Sequence, residues 1–402
     1  MQALLSTIVG LLVAAIAVAL AARRLKLPYT VGLVLSGIVL AVSKVGSGQF
    51  LTHDFIFDVV LPPLLFEAAI NIHWHELRRD LAPVLVLAIA GTVAAAAIVG
   101  GGLVLALGWP PRVALLFGTL IAATDPVAVI AMFKDNGVTG RLRLLVESES
   151  LLNDGVAAVL FTLVLAWAVA ADGTEALPAD EIVWLLVVIV LGGVMAGLVC
   201  AGAAIALAGR TADHLVESTL TTVAAYGSFL LAERLHGSGV LATVAAGLVI
   251  GNAGILARDE HSRLSRKGRE FILALWDFIA FLANSIVFLL IGFAVAAIPF
   301  DRLGFGELAV VMALVLLSRA VTVYPLCFLF SGSARAIPRH DQHVLWWGGL
   351  RGALGLALAL SLPPDLPYRA QILIATFAVV AFSAVVQGLT MPLLLARRDR
   401  QR

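Results

Sequence analysis

The stretch 112–154, RVALLFGTLIAATDPVAVIAMFKDNGVTGRLRLLVESESLLND, sets two acidic motifs into apolar surroundings: Thr124-Asp125-Pro126, and Glu149-Ser150-Leu151-Leu152-Asn153-Asp154 about a helix length later. Pro126 removes a backbone donor and crowds the preceding turn, so the spacing predicts a helix that is kinked or unwound at Thr124 to Pro126, with Pro126 supporting the break. An unwound segment exposes carbonyl oxygens and two half-helix ends. On the next helix Ser150 and Asp154 are four residues apart and share a face, with Asn153 beside them, while Glu149 points about 100° away. Whether these carboxylates sit in water or in lipid decides the fold.

Composition answers that question. Of 402 residues, 61% are hydrophobic and only 13% charged, and the mean hydropathy is +1.02, values that exclude a soluble globular domain. Apolar runs of about 20 residues, the length that spans a bilayer as a helix, recur along almost the whole chain. They place spans at 2–22, 28–43, 55–72, 81–107, 112–133, 145–171, 181–208, 215–233, 240–257, 271–297, 306–331, 343–362 and 370–395. The expected architecture is an all-α polytopic membrane protein of about 13 transmembrane helices, read as a single transmembrane domain over 1–402. The first span lacks a basic leader and reads as a retained helix rather than a signal peptide.

Cytoplasmic loops collect Lys and Arg. With the N-terminus outside and the C-terminus cytoplasmic, 20 of the 27 basic residues fall on cytoplasmic loops. The loop 172–181, with Glu175 and Asp180 and no basic residue, falls outside. The basic loop 258–269 and the tail 396–402 read as topology signal facing the lipid bilayer. Cys200 and Cys327 fall inside spans and imply neither a disulfide framework nor a metal cluster. The eight histidines lie in or near loops and read as solvated side chains rather than pH sensors.

Depth separates the charged residues. Asp125 and Asp154 come out near the middle of a hydrocarbon layer about 30 Å thick, where a carboxylate is functional by default. Glu67, Glu149, Arg319 and Arg351 also lie inside spans, whereas Asp58, Glu217, Glu233, Asp277 and Glu307 lie within about two turns of an end and read as structural. A deep guanidinium needs a partner because it cannot lose its proton, and Glu149 is the natural one for Arg319. Arg351 sits in Trp347-Gly348-Gly349-Leu350-Arg351-Gly352-Ala353, whose glycines predict a second broken helix supported by that arginine. Breaks in the fifth and twelfth spans fit two inverted six-helix repeats, 1–171 and 215–395, joined by the helix 181–208. Broken helices at equivalent positions are a pointer to a transport site.

Four motifs together, Thr124 to Val129, Glu149 to Gly155, Leu61-Pro62-Pro63-Leu64-Leu65-Phe66-Glu67 and Gly349-Leu350-Arg351-Gly352, resemble the first cation:proton antiporter family, which contains the NhaP and NHE exchangers. The resemblance covers essentially the whole chain. It implies a homodimeric transporter, not an enzyme, without cofactor or nucleic-acid partner, in the cell membrane (the inner membrane for a bacterium). Asp154 would be the ion- and proton-binding carboxylate, with the Ser150 hydroxyl and the Thr124 carbonyl completing a Na+ seat. Asp125 and Asn153 would hold the two helices together, Glu149 would pair with Arg319, and Glu67 would line the aqueous approach. An Asn-Asp pair marks the electroneutral branch, so the exchange implied is one Na+ or Li+ for one proton, with K+ as the alternative cation. Many relatives continue into a cytosolic regulatory domain; none is expected here, because the sequence stops soon after the last span.

The chemistry suits that assignment: one carboxylate that accepts either a proton or a hard cation with oxygen ligands gives exchange by competition, and rocking of one bundle exposes it alternately. A passive cation channel would need repeated polar faces, which the spans lack. An intramembrane aspartyl protease would need a Gly-x-Gly-Asp motif, which is absent from the sequence.

Overall fold

Proline stands at the N-cap or in the first turn of the helices that begin at Tyr29, Leu61, Pro111, Val127, Ala179 and Arg339. The computed structural model describes residues 2–25, 28–43, 52–169, 178–257, 262–296 and 303–399. Among these every regular element is helical: α1 (Gln2–Leu25), α2 (Tyr29–Val42), α3 (Leu61–Ile70), α4 (Trp74–Leu85), α5 (Gly91–Leu107), α6 (Pro111–Ala122), α7 (Val127–Asp135), α8 (Arg141–Val169) and α9 (Ala179–Ala208). The second half adds α10 (His214–Arg234), α11 (Gly239–Ile250), α12 (Arg266–Ala296), α13 (Phe305–Phe328), α14 (Arg339–Trp347), α15 (Ala353–Leu360), α16 (Arg369–Phe382) and α17 (Gly388–Asp399). Wider π-helical turns precede α3 (Phe55–Val60), join α4 to α5 (Val86–Ala90), follow α11 (Gly251–Ile255) and join α16 to α17 (Ser383–Gln387). Glu175 and the basic residues Arg258, Arg400 and Arg402 lie outside the described residues.

Among the described residues, seven helical stretches are long and apolar enough to cross a membrane: Trp74–Leu107, Arg141–Val169, Asp180–Ala208, His214–Arg234, Arg266–Ala296, Phe305–Phe328 and Arg369–Ala396. Shorter apolar helices, among them Pro111–Ala122 and Gly239–Ile255, stand beside them. α9 turns Val183, Trp184, Leu191, Met195 and Val199 outward. Such a face is ruinous in water and required in lipid, which makes this a multi-pass membrane protein.

In lipid there is little hydrophobic drive between helices, so close packing decides. Gly37 of α2 and Gly292 of α12 show it: a methyl on Gly37 would overlap the Leu289 carbonyl, and one on Gly292 the Val34 carbonyl. These two helices are locked backbone to backbone. Glu217, read as structural, is fully buried and accepts from the Ser265 amide (2.9 Å) and hydroxyl (2.8 Å) just before α12 begins.

The expected fifth and twelfth spans are the interrupted ones. α6 stops at Ala122 and α7 restarts at Val127, while α14 stops at Trp347 and α15 restarts at Ala353. The second gap is buried throughout, and the first is buried at Ala123 and Thr124 and half-buried at Asp125 and Pro126, where it meets a cavity; non-helical backbone is tolerated at membrane depth where it is buried in protein or lines a cavity.

Candidate functional site

The two gaps touch through main-chain atoms. The Asp125 amide donates to the Leu350 carbonyl at 2.7 Å. Arg351 reaches across in the other direction: its Nη1 donates to the carbonyls of Ala122 (2.6 Å) and Ala123 (3.0 Å). These are orphaned acceptors at the C-terminus of α6, and a guanidinium there satisfies them and complements the negative end of the helix. The Asp125 Oδ1 accepts from the Val127 amide at 2.9 Å, so this carboxylate serves the N-terminal, positive end of α7. The Arg351 amide donates to Ser383 Oγ at 3.1 Å, and Gln387 Nε2 donates to the Trp347 carbonyl at 2.9 Å.

Gly352 lies against the Asp125 side chain, where an added methyl would overlap the carboxylate. Gly352→Ala is therefore expected to push Asp125 off the Val127 amide and to destabilise the fold by about 1–3 kcal/mol, the usual cost of overpacking. Thermal unfolding in detergent checks this; a variant as stable as the parent would show that the contact yields.

α8 supports the first gap from behind. Asn153 Oδ1 accepts from the Thr124 amide at 3.2 Å, and its Nδ2 donates to Thr124 Oγ1 (2.6 Å) and Glu149 Oε1 (3.2 Å). The Ser150 hydroxyl donates to the Thr124 carbonyl and lies 3.0 Å from Thr124 Oγ1. One turn earlier Glu149 and Arg319 form a two-pronged pair, both bonds 2.8 Å, with both residues buried. Arg319 also donates to the Leu345 carbonyl near the end of α14 (3.3 Å from Nη2), and Gly349 leaves room for its guanidinium. The polar chain thus runs from α13 through α8 to the gap in the first broken helix.

In front of the gap lies a cavity of about 300 Å³. Asp154, Thr124, Asp125 and Glu67 all line it. Ser150 and Asn153 stand behind its wall, bonded to Thr124, and the Glu149–Arg319 pair lies deeper still. One expectation needs correcting. Asp125 and Asn153 do not share the task of joining the helices: Asn153, with Ser150, ties α8 to Thr124, while Asp125 binds its own half-helix through the side chain and the second gap through the amide.

Asp277 is a second correction. It lines the same cavity as Glu67, whose Oε1 accepts from Asn71 Nδ2 at 2.9 Å. α12 begins at Arg266 with the charged residues Arg266, Lys267, Arg269 and Glu270, and Asp277 follows the last of them by about two turns, close to the end of the apolar run as its sequence position implies. Lys134, Arg143 and Glu147 complete the charged lining. Of the histidines, His53 is half-buried, its Nδ1 2.9 Å from the Ala357 carbonyl of α15, where only the protonated nitrogen donates, whereas His343 is exposed, with Nδ1 2.7 Å from Tyr324 Oη.

The family model described as "Sodium/hydrogen exchanger, transmembrane" matches residues 10–397. The Na+/H+ antiporter ApNhaP of Aphanothece halophytica is 41% identical over 369 residues, covering 91% of this chain and 68% of its own length. The Na+/H+ antiporter NhaP of Pseudomonas aeruginosa is 34% identical over 399 residues, covering 93% of this chain and 92% of its own length. Among solved structures, the sodium proton antiporter MjNhaP1 from Methanocaldococcus jannaschii at pH 8 superposes with a TM-score of 0.79 over 98% of this chain and 99% of that one, at 20% identity, a likeness of fold. A buried crossing of two broken helices, a carboxylate-lined cavity in front of it and a match along nearly the whole length agree: the chain belongs to the sodium/hydrogen exchanger family.

Proposed function

We propose that this protein exchanges Na+ for H+ across the membrane, one for one and without net charge movement, by competition of cation and proton for Asp154. The observation that carries the reading is the placement of Asp154 on the cavity wall beside Thr124, where the broken helix leaves backbone oxygen unclaimed by helical bonding. A hard monovalent cation seeks such oxygen donors. Proton and cation exclude each other at one carboxylate, so coupling needs no separate device. The Thr124 carbonyl is the second ligand, and Ser150, which donates to that carbonyl, enters the seat directly only by releasing it. Glu67 lines the approach, on the face that opens to the cytoplasm if the N-terminus is outside. The inverted relation of the two halves provides the alternating access.

Proton flux in proteoliposomes, compared for Na+, Li+ and K+ with and without a membrane potential, tests the reading. Na+ and Li+ are expected to dissipate an imposed proton gradient at a rate indifferent to the potential. A potential-dependent rate would overturn electroneutrality. A preference for K+ would reassign the substrate.

A further inference from the structure

The mouth of the cavity places positive charge in a cation's path. Its lining combines Glu67, Glu147 and Asp277 with Arg143 and Lys134. Arg143 is neutralised locally by Glu147, one turn on and 3.1 Å away. Lys134 is different: it is exposed in the last turn of α7, and its field reaches both Glu67 on α3 and Glu147 on α8. An ammonium so placed cancels part of the negative potential by which a carboxylate-lined cleft concentrates cations. Because Lys134 is exposed, that cancellation weakens as salt is added.

Resting on the exchange reading above, we propose that Lys134 is a specificity-determining residue of the mouth: a tethered cation that competes with the incoming one for the side formed by Glu67 and Asp277, and so sets the apparent cation affinity. Its position strengthens the point. α7 is the half-helix that follows the Thr124–Pro126 gap, so a movement of the crossing carries Lys134 with it and changes the opposition the cation meets. The ordinary role of a lysine there, complementing the C-terminal end of a helix, acts on stability and leaves cation affinity alone.

The test measures Na+-dependent proton flux in proteoliposomes for Lys134→Gln, Lys134→Met, Lys134→Glu and Lys134→Arg, with thermal unfolding alongside. Removing the charge is expected to lower KM for Na+ about threefold, and reversing it about tenfold, with maximal rate within about twofold and Arg close to the parent. The differences should shrink as choline chloride raises the ionic strength from about 0.01 M to about 0.3 M. Unchanged or higher KM in Gln, Met and Glu variants that still exchange would overturn the proposal. Loss of Na+-dependent flux in the parent protein would instead remove the exchange reading beneath it.

Discussion

Asp154→Asn is expected to reduce Na+-dependent proton movement in inverted vesicles to the background of empty membranes, with the protein present at parental abundance and unfolding temperature. Asn keeps the size and the hydrogen-bonding capacity of Asp, so the cavity and the crossing behind it stay in place. It has neither a proton to release nor a full negative charge with which to hold a cation. Asp125→Asn sharpens the comparison, because Asp125 also lines the cavity but spends Oδ1 on the Val127 amide. An Asn oxygen can accept that same bond, and a reduced but measurable exchange is the expected outcome. Retained exchange in Asp154→Asn, or equal loss in both variants, removes the division of labour proposed for the two acids.

Breaking the Glu149–Arg319 pair should give the largest loss of stability. Each partner is buried and each bond is 2.8 Å, so removing one member strands the other's charge away from water. Arg319→Met or Glu149→Gln alone is expected to cost about 3–5 kcal/mol, dominated by the uncompensated partner. Arg319 is the harsher survivor, because a guanidinium cannot shed its charge. Replacing both residues together, Glu149→Gln with Arg319→Met, should cost clearly less than the sum of the two single changes. A double-mutant cycle on thermal or denaturant unfolding in detergent reads the coupling directly. Strict additivity would mean that the two groups act independently, contrary to the geometry.

The interruptions were legible for simple reasons. Asp125-Pro126 joins an acid lipid would not accept to a residue that cannot continue a helix, and Gly348-Gly349 with Gly352 brackets an arginine that lipid would not accept either. The pairing of Glu149 with Arg319 followed from the same penalty, since two deep opposite charges had no cheaper resolution. Other contacts were hidden by distance along the chain. Nothing local to Asp277 announces Glu67, and nothing in Arg351 announces the carbonyls of Ala122 and Ala123. The task of Asp125 differs from the one the resemblance implies, and nothing in its local sequence shows that its backbone amide meets the second gap. The Asp125 carboxylate turned to the nearest unpaired donors, those of its own α7, before any neighbouring helix.

The join between the Asp125 amide and the Leu350 carbonyl carries a consequence for substitution. It is written entirely in main-chain atoms, so position 350 meets its obligation to the crossing with any apolar residue that fits the buried space. Its neighbours have no such latitude: Arg351 contributes its head group and Gly352 its lack of one. The shared motif at 349–352 thus combines two kinds of constraint: 351 and 352 are fixed by what their side chains do or lack, whereas 350 is held only by the apolar space it fills.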